Sequence, residues 1–146
     1  MGENPPFLIM YLNKNIKSDV FKISKEDIVD FATKNDPMFF HLDESMAEES
    51  IFSELVSSGL HTICIILQKM NKFSDWSIAT GLEHTVKYLK PVKPDVKYQV
   101  SGLVTYEHIW KNPKYTHLKM SNTLREPDLD IDLVLLDTSF LIYTPK

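Results

Sequence analysis

The pattern of apolar and polar positions changes in kind midway along the chain. In the first half, apolar residues recur at helical spacing, as at Ile28, Phe31 and Ala32, which is typical of an amphipathic helix. From Trp76 onward, segments rich in Val, Ile, Thr, Tyr, Leu and Phe show partial alternation with polar residues, as strands do. The pattern therefore predicts helices followed by a long antiparallel sheet, which is an α+β fold.

The first helix has a clear start and a clear stop. Ser24 can cap a helix that begins at Lys25, and Ile23 and Ile28 occupy the two positions of a hydrophobic staple around that start. Pro37 cannot continue a helix because it lacks a backbone N–H and its ring clashes with the preceding turn. The first helix should therefore run from Lys25 and end before Pro37.

Two further helices follow. Asp43 can cap a short acidic helix that extends through Glu49, and residues 50–58 read as a loop. Between Gly59 and Met70 apolar residues cover most of the helical circumference, whereas a surface helix carries only one apolar stripe. This third helix should be buried, and its cysteine, Cys64, should pack in the core.

Four strand segments follow the helices. Proline and Asp/Asn clusters at residues 91–95, 112–113 and 126–130 separate them, and such clusters are typical of turns. Because short connections join antiparallel neighbours, the segments predict a meander, with the sheet curled around the apolar helix and one added strand around residues 20–23. The four segments are residues 76–89, 96–110, 115–124 and 131–143.

Composition favours one globular domain over residues 1–146 and excludes several partners. The apolar share is 43% and the charged share 25%, which are ordinary values for a folded domain. The net charge is −4 and no Lys/Arg run is dense, so we expect no nucleic-acid partner. No apolar run approaches eighteen residues, so we expect no membrane partner either.

Cysteine and histidine usage bears on compartment and metals. Cys64 is the single cysteine, so it cannot form an internal disulfide and lacks the companions of a zinc site. His84, His108 and His117 show no ligand spacing, and we expect no metal. Residues 1–15 lack the charged head and long apolar stretch of a signal peptide. These features predict a cytoplasmic protein.

The clearest candidate chemistry lies around the proline. Asp36 precedes Pro37 and is disfavoured from the α conformation, so it should lie at the helix exit with His41 in the loop beyond. A carboxylate and an imidazole brought to one point can exchange protons with a reactant. The alternative is structural, because an Asp before a proline commonly stops a helix and a lone His commonly makes a surface hydrogen bond.

Five segments together resemble the MaoC-like acyl dehydratases, a family that includes (R)-specific enoyl-CoA hydratases. The resemblance is dense over residues 21–97 and weak outside them. Its most specific part is the loop from Asp36 to His41 with a Ser-Gly pair downstream. The segments are Ile28-Val29-Asp30-Phe31-Ala32, Asn35-Asp36-Pro37-Met38-Phe39-Phe40-His41-Leu42-Asp43-Glu44, Ser50-Ile51-Phe52, Ser58-Gly59-Leu60-His61-Thr62 and Lys87-Tyr88-Leu89-Lys90-Pro91-Val92.

The resemblance implies a hotdog fold, a long antiparallel sheet around one central helix, and a homodimer or higher homo-oligomer. It implies that Asp36 and His41 activate a water that adds to a trans-2-enoyl-CoA to give 3-hydroxyacyl-CoA, or the reverse. It makes the Gly59 amide the oxyanion donor and Ser58 an orienting residue. No cofactor is expected, since CoA or an acyl carrier is part of the thioester substrate.

Four further residues are candidates for substrate binding: Phe39, Phe52, Glu54 and His61. Phe39 and Phe52 could line an acyl pocket or belong to the core, and His61 could face the site or be structural. Ser53 and Glu54 stand where close relatives tend to carry two glycines, which brings bulk and a charge near the expected site entrance.

Two other functions compete with the hydratase. A non-catalytic hotdog module could bind acyl-CoA or support a partner subunit, in keeping with the changes at Ser53 and Glu54. A thioesterase would more naturally place a carboxylate on the central helix, and residues 59–70 contain none. The lysines of residues 87–97 fit either the phosphates of CoA or a solvated sheet edge.

Overall fold

The computed structural model describes residues 12–71, 79–109, 111–112 and 114–143. Within these residues short helices come first and long strands follow, which confirms the α+β prediction. In chain order the elements are β1 (Asn15–Lys17), α1 (Lys25–Asn35), α2 (Phe39–Leu42), α3 (Glu44–Ala47), α4 (Gly59–Met70), β2 (Ala79–Tyr88), β3 (Gln99–Ile109), β4 (Tyr115–Glu126) and β5 (Ile131–Tyr143).

Helix α1 begins and ends as its sequence predicts. The Ser24 hydroxyl accepts a hydrogen bond from the Asp27 amide at 3.1 Å, which satisfies one of the free donors of the first turn. Ile28 and Ala32 are fully buried on its inner face. Asp36 is the C-cap residue, with a non-helical backbone (φ −158°, ψ 70°), in keeping with the steric effect of Pro37 on the residue before it. The end of α1 therefore holds the Asp36 carboxylate in one place.

The segment after Pro37 is more helical than predicted. His41 was expected in a loop, but it lies in the one-turn helix α2. Asp43 does cap the next helix, accepting from the Met46 amide at 2.9 Å, yet α3 ends at Ala47 rather than Glu49. Two consecutive single turns fit here because Asp43 can end one helix and cap the next.

The five strands form one antiparallel sheet in the order β1-β3-β4-β5-β2. Side chains alternate between its two faces, as pleating requires. Helix α4 packs on the inner face through Ile66 and Met70, which are fully buried. Burial of both surfaces removes a large apolar area from water. The inward side chains that form the core with α4 include Val100, Val104, Leu118, Met120, Leu124, Val134, Leu136 and Phe140.

The sheet order corrects the predicted meander. Strands β3, β4 and β5 follow one another, but β2 pairs with β5 instead of β3. The connection at residues 89–98 must cross two intervening strands, roughly 14 Å at ordinary strand spacing. Ten residues can reach about 33 Å when extended, so the connection is long enough for that crossing.

Two other expectations are wrong in detail. The predicted strand at residues 20–23 is reduced to a single bridge between Phe21 and Tyr98, and the paired strand lies earlier, at β1. Cys64 is exposed on α4 rather than packed in the core, because α4 buries only the side that faces the sheet. Two predicted strand limits, at Trp76 and Trp110, lie outside the described residues.

Among the described residues, no helix is both long enough and apolar enough to cross a membrane.

Candidate active site

The tertiary structure brings Asp36 and His41 together. Asp36 lies at the end of α1 and His41 in α2, and Pro37 turns the chain between them. The His41 Nε2 and Asp36 Oδ2 atoms are 3.5 Å apart. The His41 side chain is 7% exposed and that of Asp36 is 29% exposed, so the pair is largely shielded but remains open to a small molecule on one side.

A backbone carbonyl fixes the orientation of the His41 ring. Nδ1 lies 2.6 Å from the Val56 carbonyl oxygen, and a carbonyl can only accept a hydrogen bond. Nδ1 therefore carries a proton and donates it, which leaves Nε2, on the Asp36 side, as the atom that can gain or lose a proton. Only this nitrogen of His41 is available for acid–base chemistry.

Ser58 links the pair to the start of α4. Its hydroxyl donates to Asp36 Oδ2 at 2.7 Å, and its side chain makes no capping bond to α4 although it occupies the N-cap position. The first-turn amides of α4 therefore remain able to donate to another acceptor. The same serine hydroxyl holds one carboxylate oxygen of Asp36 in position. A helix N-terminus with free amides favours a negatively charged oxygen.

A cavity of about 340 Å³ opens beside these groups. His41 and Gly59 line it, whereas Asp36 is not a lining residue and reaches it only through its neighbours His41 and Ser58. Its walls are mainly apolar, as expected of a site for an acyl chain. The other lining residues are Phe40, Phe52, Val56, Ser57, Thr62, Tyr88, Leu89, Lys90, Pro91, Val92 and Val134.

Of the next three candidate residues, one lines the cavity and two do not. Phe52 lines the cavity and contacts Phe40 edge-on, with ring centroids 5.3 Å apart. Phe39 is 39% exposed and does not line the cavity. Glu54 also lies outside it and forms an ion pair with Lys93 at 2.6 Å. Ser53 and Glu54 line a different surface depression, together with Glu44 and Glu48.

His61 is placed between two helices rather than in the cavity. Its ring stacks on Phe31, with centroids 4.5 Å apart, and its Nδ1 lies 3.2 Å from the Ser57 hydroxyl. Both contacts join α4 to the segments packed against it. This placement agrees with the structural interpretation of His61.

The sequence interpretation missed several lining residues. Tyr88 and Lys90 line the cavity, although the sequence predicts no contact between them and the acyl group. A signal was present, because Tyr88 and Lys90 lie in the Lys-Tyr-Leu-Lys-Pro-Val segment that contributes to the family resemblance. Lys87 does lie on an exposed sheet edge, as one alternative held.

The position of His61 leads to a prediction about pH. Burial lowers the pKa of His61 below its ordinary value of 6.5, with the Asp27 carboxylate opposing that shift. Just below pH 6.5 the unfolded chain therefore binds more protons than the folded one. The contribution of neutral His61 to stability should be complete above pH 6.5 and should be lost as the pH falls through the lowered pKa.

Urea unfolding between pH 5 and 7.5 measures this effect. The difference in unfolding free energy between wild type and His61→Gln should shrink toward the acidic end, because glutamine does not titrate. A difference that stays constant over the whole range would contradict the assignment.

Comparison with known proteins supplies independent information. The sequence profile described as "MaoC like domain" matches residues 12–124. An uncharacterised protein of Bacillus subtilis, YdeM, is 33% identical over 82 residues, which are 54% of this chain and 58% of that protein. The match therefore spans less than two thirds of the relative's length.

Solved structures share the whole architecture. A MaoC-like dehydratase from Rhodospirillum rubrum has a TM-score of 0.82 at 20% identity, with 92% of this chain and 94% of that chain covered. The R-hydratase PhaJ1 from Pseudomonas aeruginosa has a TM-score of 0.72 at 16% identity, with 98% and 88% covered. At these identities the likeness establishes the fold that the chains have in common.

Proposed function

Because this chain belongs to the MaoC-like domain family and has its hotdog fold, we propose that it is a hydratase or dehydratase that acts on acyl thioesters. The reaction would add water to a trans-2-enoyl-CoA to give a 3-hydroxyacyl-CoA, or run in reverse. The observation that carries the proposal is the cluster of Asp36, His41 and Ser58 beside a cavity that reaches the uncapped start of α4.

The pair of Asp36 and His41 is suited to activate one water. A water bound near Asp36 Oδ2 and His41 Nε2 would meet two groups that exchange protons, held 3.5 Å apart. The pair accepts one proton of the water as its oxygen bonds to C3 of the substrate, and it delivers a proton to C2 as the electron pair returns from the thioester oxygen, so the pair regains its starting protonation state. Because these groups are already held around the reactants, the reaction avoids the entropic cost of bringing them together from solution.

The start of α4 is suited to stabilise the charge that develops. As the C3–O bond forms, the electron pair of the C2–C3 double bond moves toward the thioester oxygen. Gly59 lines the cavity, and the Ser58 side chain makes no capping bond to the first-turn amides. Pre-positioned backbone donors at such an oxygen supply a large part of catalysis in acyl chemistry.

We also propose a homodimer, because one edge of the sheet is exposed, and a cytoplasmic location, because a chain with a single cysteine fits a reducing compartment. Strand β2 lies at one end of the described sheet, and nearly its whole length is exposed. Leu82 on β2 is 43% exposed, and Leu60 of α4 is 54% exposed. A ten-residue edge with apolar side chains favours pairing with a second copy, which would cover it.

The proposed activity has a direct test. Hydration removes the conjugated double bond, so the ultraviolet absorbance of trans-2-enoyl-CoA should fall with time when the protein is added. We expect turnover with short or medium acyl chains, since the cavity is small for a binding site. Binding of these substrates without any turnover would instead support the non-catalytic acyl-CoA-binding module.

A further inference from the structure

Tyr88 occupies an unexpected place against the start of α4. It is the last residue of β2 and pairs with Val134 of β5, and both residues line the cavity. Its phenol ring rises over the first turn of α4. A Cβ added to Gly59 would lie 2.6 Å from both the Cζ atom and the hydroxyl oxygen of Tyr88. Only glycine at position 59 allows this contact without displacing the ring.

The contact places the Tyr88 hydroxyl near the Gly59 amide. A Cβ atom lies about 2.5 Å from the amide nitrogen of its own residue, so the hydroxyl oxygen is within about 5 Å of that nitrogen. Two donors at such a separation can both reach a single oxygen at ordinary hydrogen-bond distances of about 2.7–3.1 Å. The geometry therefore allows convergence of the two donors on one acceptor.

The Tyr88 hydroxyl is also available to donate a hydrogen bond to that acceptor. It makes no hydrogen bond to any of the residues that the structure describes, whereas the Tyr98 hydroxyl accepts one from the Lys93 amide. Burial raises the pKa of Tyr88, so the phenol keeps its proton at neutral pH and remains a donor. Half-exposed at the cavity wall, the side chain can be reached by a substrate.

We propose that the Tyr88 hydroxyl is a second donor to the thioester carbonyl oxygen, beside the Gly59 amide. This inference rests on the proposed hydratase function and assigns a further catalytic residue to it. As the C3–O bond forms and charge moves onto the thioester oxygen, the hydroxyl bond strengthens together with the amide bond. Tyr88 then contributes more to the transition state than to substrate binding.

The first test removes the hydroxyl and keeps the ring. Tyr88→Phe should lower kcat for trans-2-enoyl-CoA about 100-fold, in line with the loss of one donor at an oxyanion, with a smaller change in KM. Tyr143→Phe is the matched control, because Tyr143 ends β5, does not line the cavity and is 38% exposed. The control should keep the wild-type rate. A Tyr88→Phe protein with wild-type kcat would show that the ring is only a wall.

A second readout detects the hydrogen bond itself. A 2,4-dienoyl-CoA bound to Asp36→Asn protein, which should hydrate it at least about 100-fold more slowly, reports polarisation of its carbonyl as a shift of absorbance to longer wavelength. The shift should shrink when Tyr88→Phe is added to Asp36→Asn. An unchanged shift would overturn the inference, because a purely structural ring would leave it as it was.

The two proposals fail in distinguishable ways. If wild type turns over enoyl-CoA and Tyr88→Phe does so equally well, the role of Tyr88 is wrong and the hydratase function stands. If wild type hydrates none of the enoyl-CoA substrates, the function fails and the role of Tyr88 fails with it.

Discussion

Asp36→Asn is expected to lower the rate of enoyl-CoA hydration by about 10²- to 10⁴-fold, the range for loss of a general acid or base. Asparagine keeps the shape of the side chain and can still accept the hydrogen bond from Ser58, which is 2.7 Å long in the wild type. It cannot take up a proton. The loss should therefore appear in kcat, with the fold preserved.

The pair should behave as one unit. His41→Gln removes the Nε2 atom that faces Asp36, so its rate should fall to a similar level. The double variant should lose little more activity than either single variant. Each single substitution already stops proton transfer through the pair, so the second substitution removes nothing further. Losses that multiply would contradict a shared water between the two side chains.

Asp30→Asn is the matched control for Asp36→Asn. Asp30 lies on the same helix, makes an exposed ion pair with Lys34 at 3.3 Å, and does not line the cavity beside His41 and Gly59. Exposed pairs of this kind contribute little to stability. Rates of initial hydration should match the wild type for Asp30→Asn, while circular dichroism should show the same fold in all the variants. If Asp36→Asn keeps the wild-type rate, the proton-handling assignment is wrong.

Gly59→Ala is expected to lower kcat/KM for enoyl-CoA by about 10²- to 10³-fold, a loss comparable to that of one oxyanion donor. The new methyl group would lie 2.6 Å from the Tyr88 ring, closer than non-bonded atoms allow. The ring must then swing away, and the methyl group fills the space in front of the first-turn amide. Both changes move a carbonyl oxygen away from its donors.

Gly81→Ala provides the control for this effect. Gly81 lies on β2, the strand that carries Tyr88. A Cβ added to Gly81 would meet only the His84 ring, at an ordinary 3.7 Å. Gly81→Ala should therefore retain the wild-type kcat/KM. Steady-state kinetics gives kcat/KM for both variants, and thermal unfolding checks that both keep the fold. Normal kinetics for Gly59→Ala would rule out close approach of the thioester to α4.

Much of the local structure followed from residues adjacent in the chain. Ser24 caps α1 as predicted, Pro37 ends it, and α4 spans Gly59–Met70 as the apolar pattern indicated. The resemblance to MaoC-like proteins is confirmed, and with it the hotdog fold. The catalytic roles of Asp36, His41 and Gly59 remain predictions, although the structure places Asp36 beside His41 and brings His41 and Gly59 to one cavity.

The errors concern contacts between residues distant in the chain. The position of β2 beside β5 and the exposed side of Cys64 depend on which surfaces pack together, and no local pattern encodes that choice. Glu54 was expected at the site entrance, but its partner is Lys93, on the segment between β2 and β3. His61 lies against Phe31 for the same reason.

The sequence by itself determined the ends of α1 and α4, the four long strand segments and the identity of the Asp36–His41 pair, because caps, prolines and side-chain periodicity act within a few residues. Only the tertiary structure decided that Ser58 holds Asp36, that Val56 orients His41 and that Tyr88 covers Gly59. These contacts join residues from 15 to 29 positions apart. Their geometry exists only after the sheet and α4 have packed around a common core, since side chains that far apart meet through long-range burial rather than local preference.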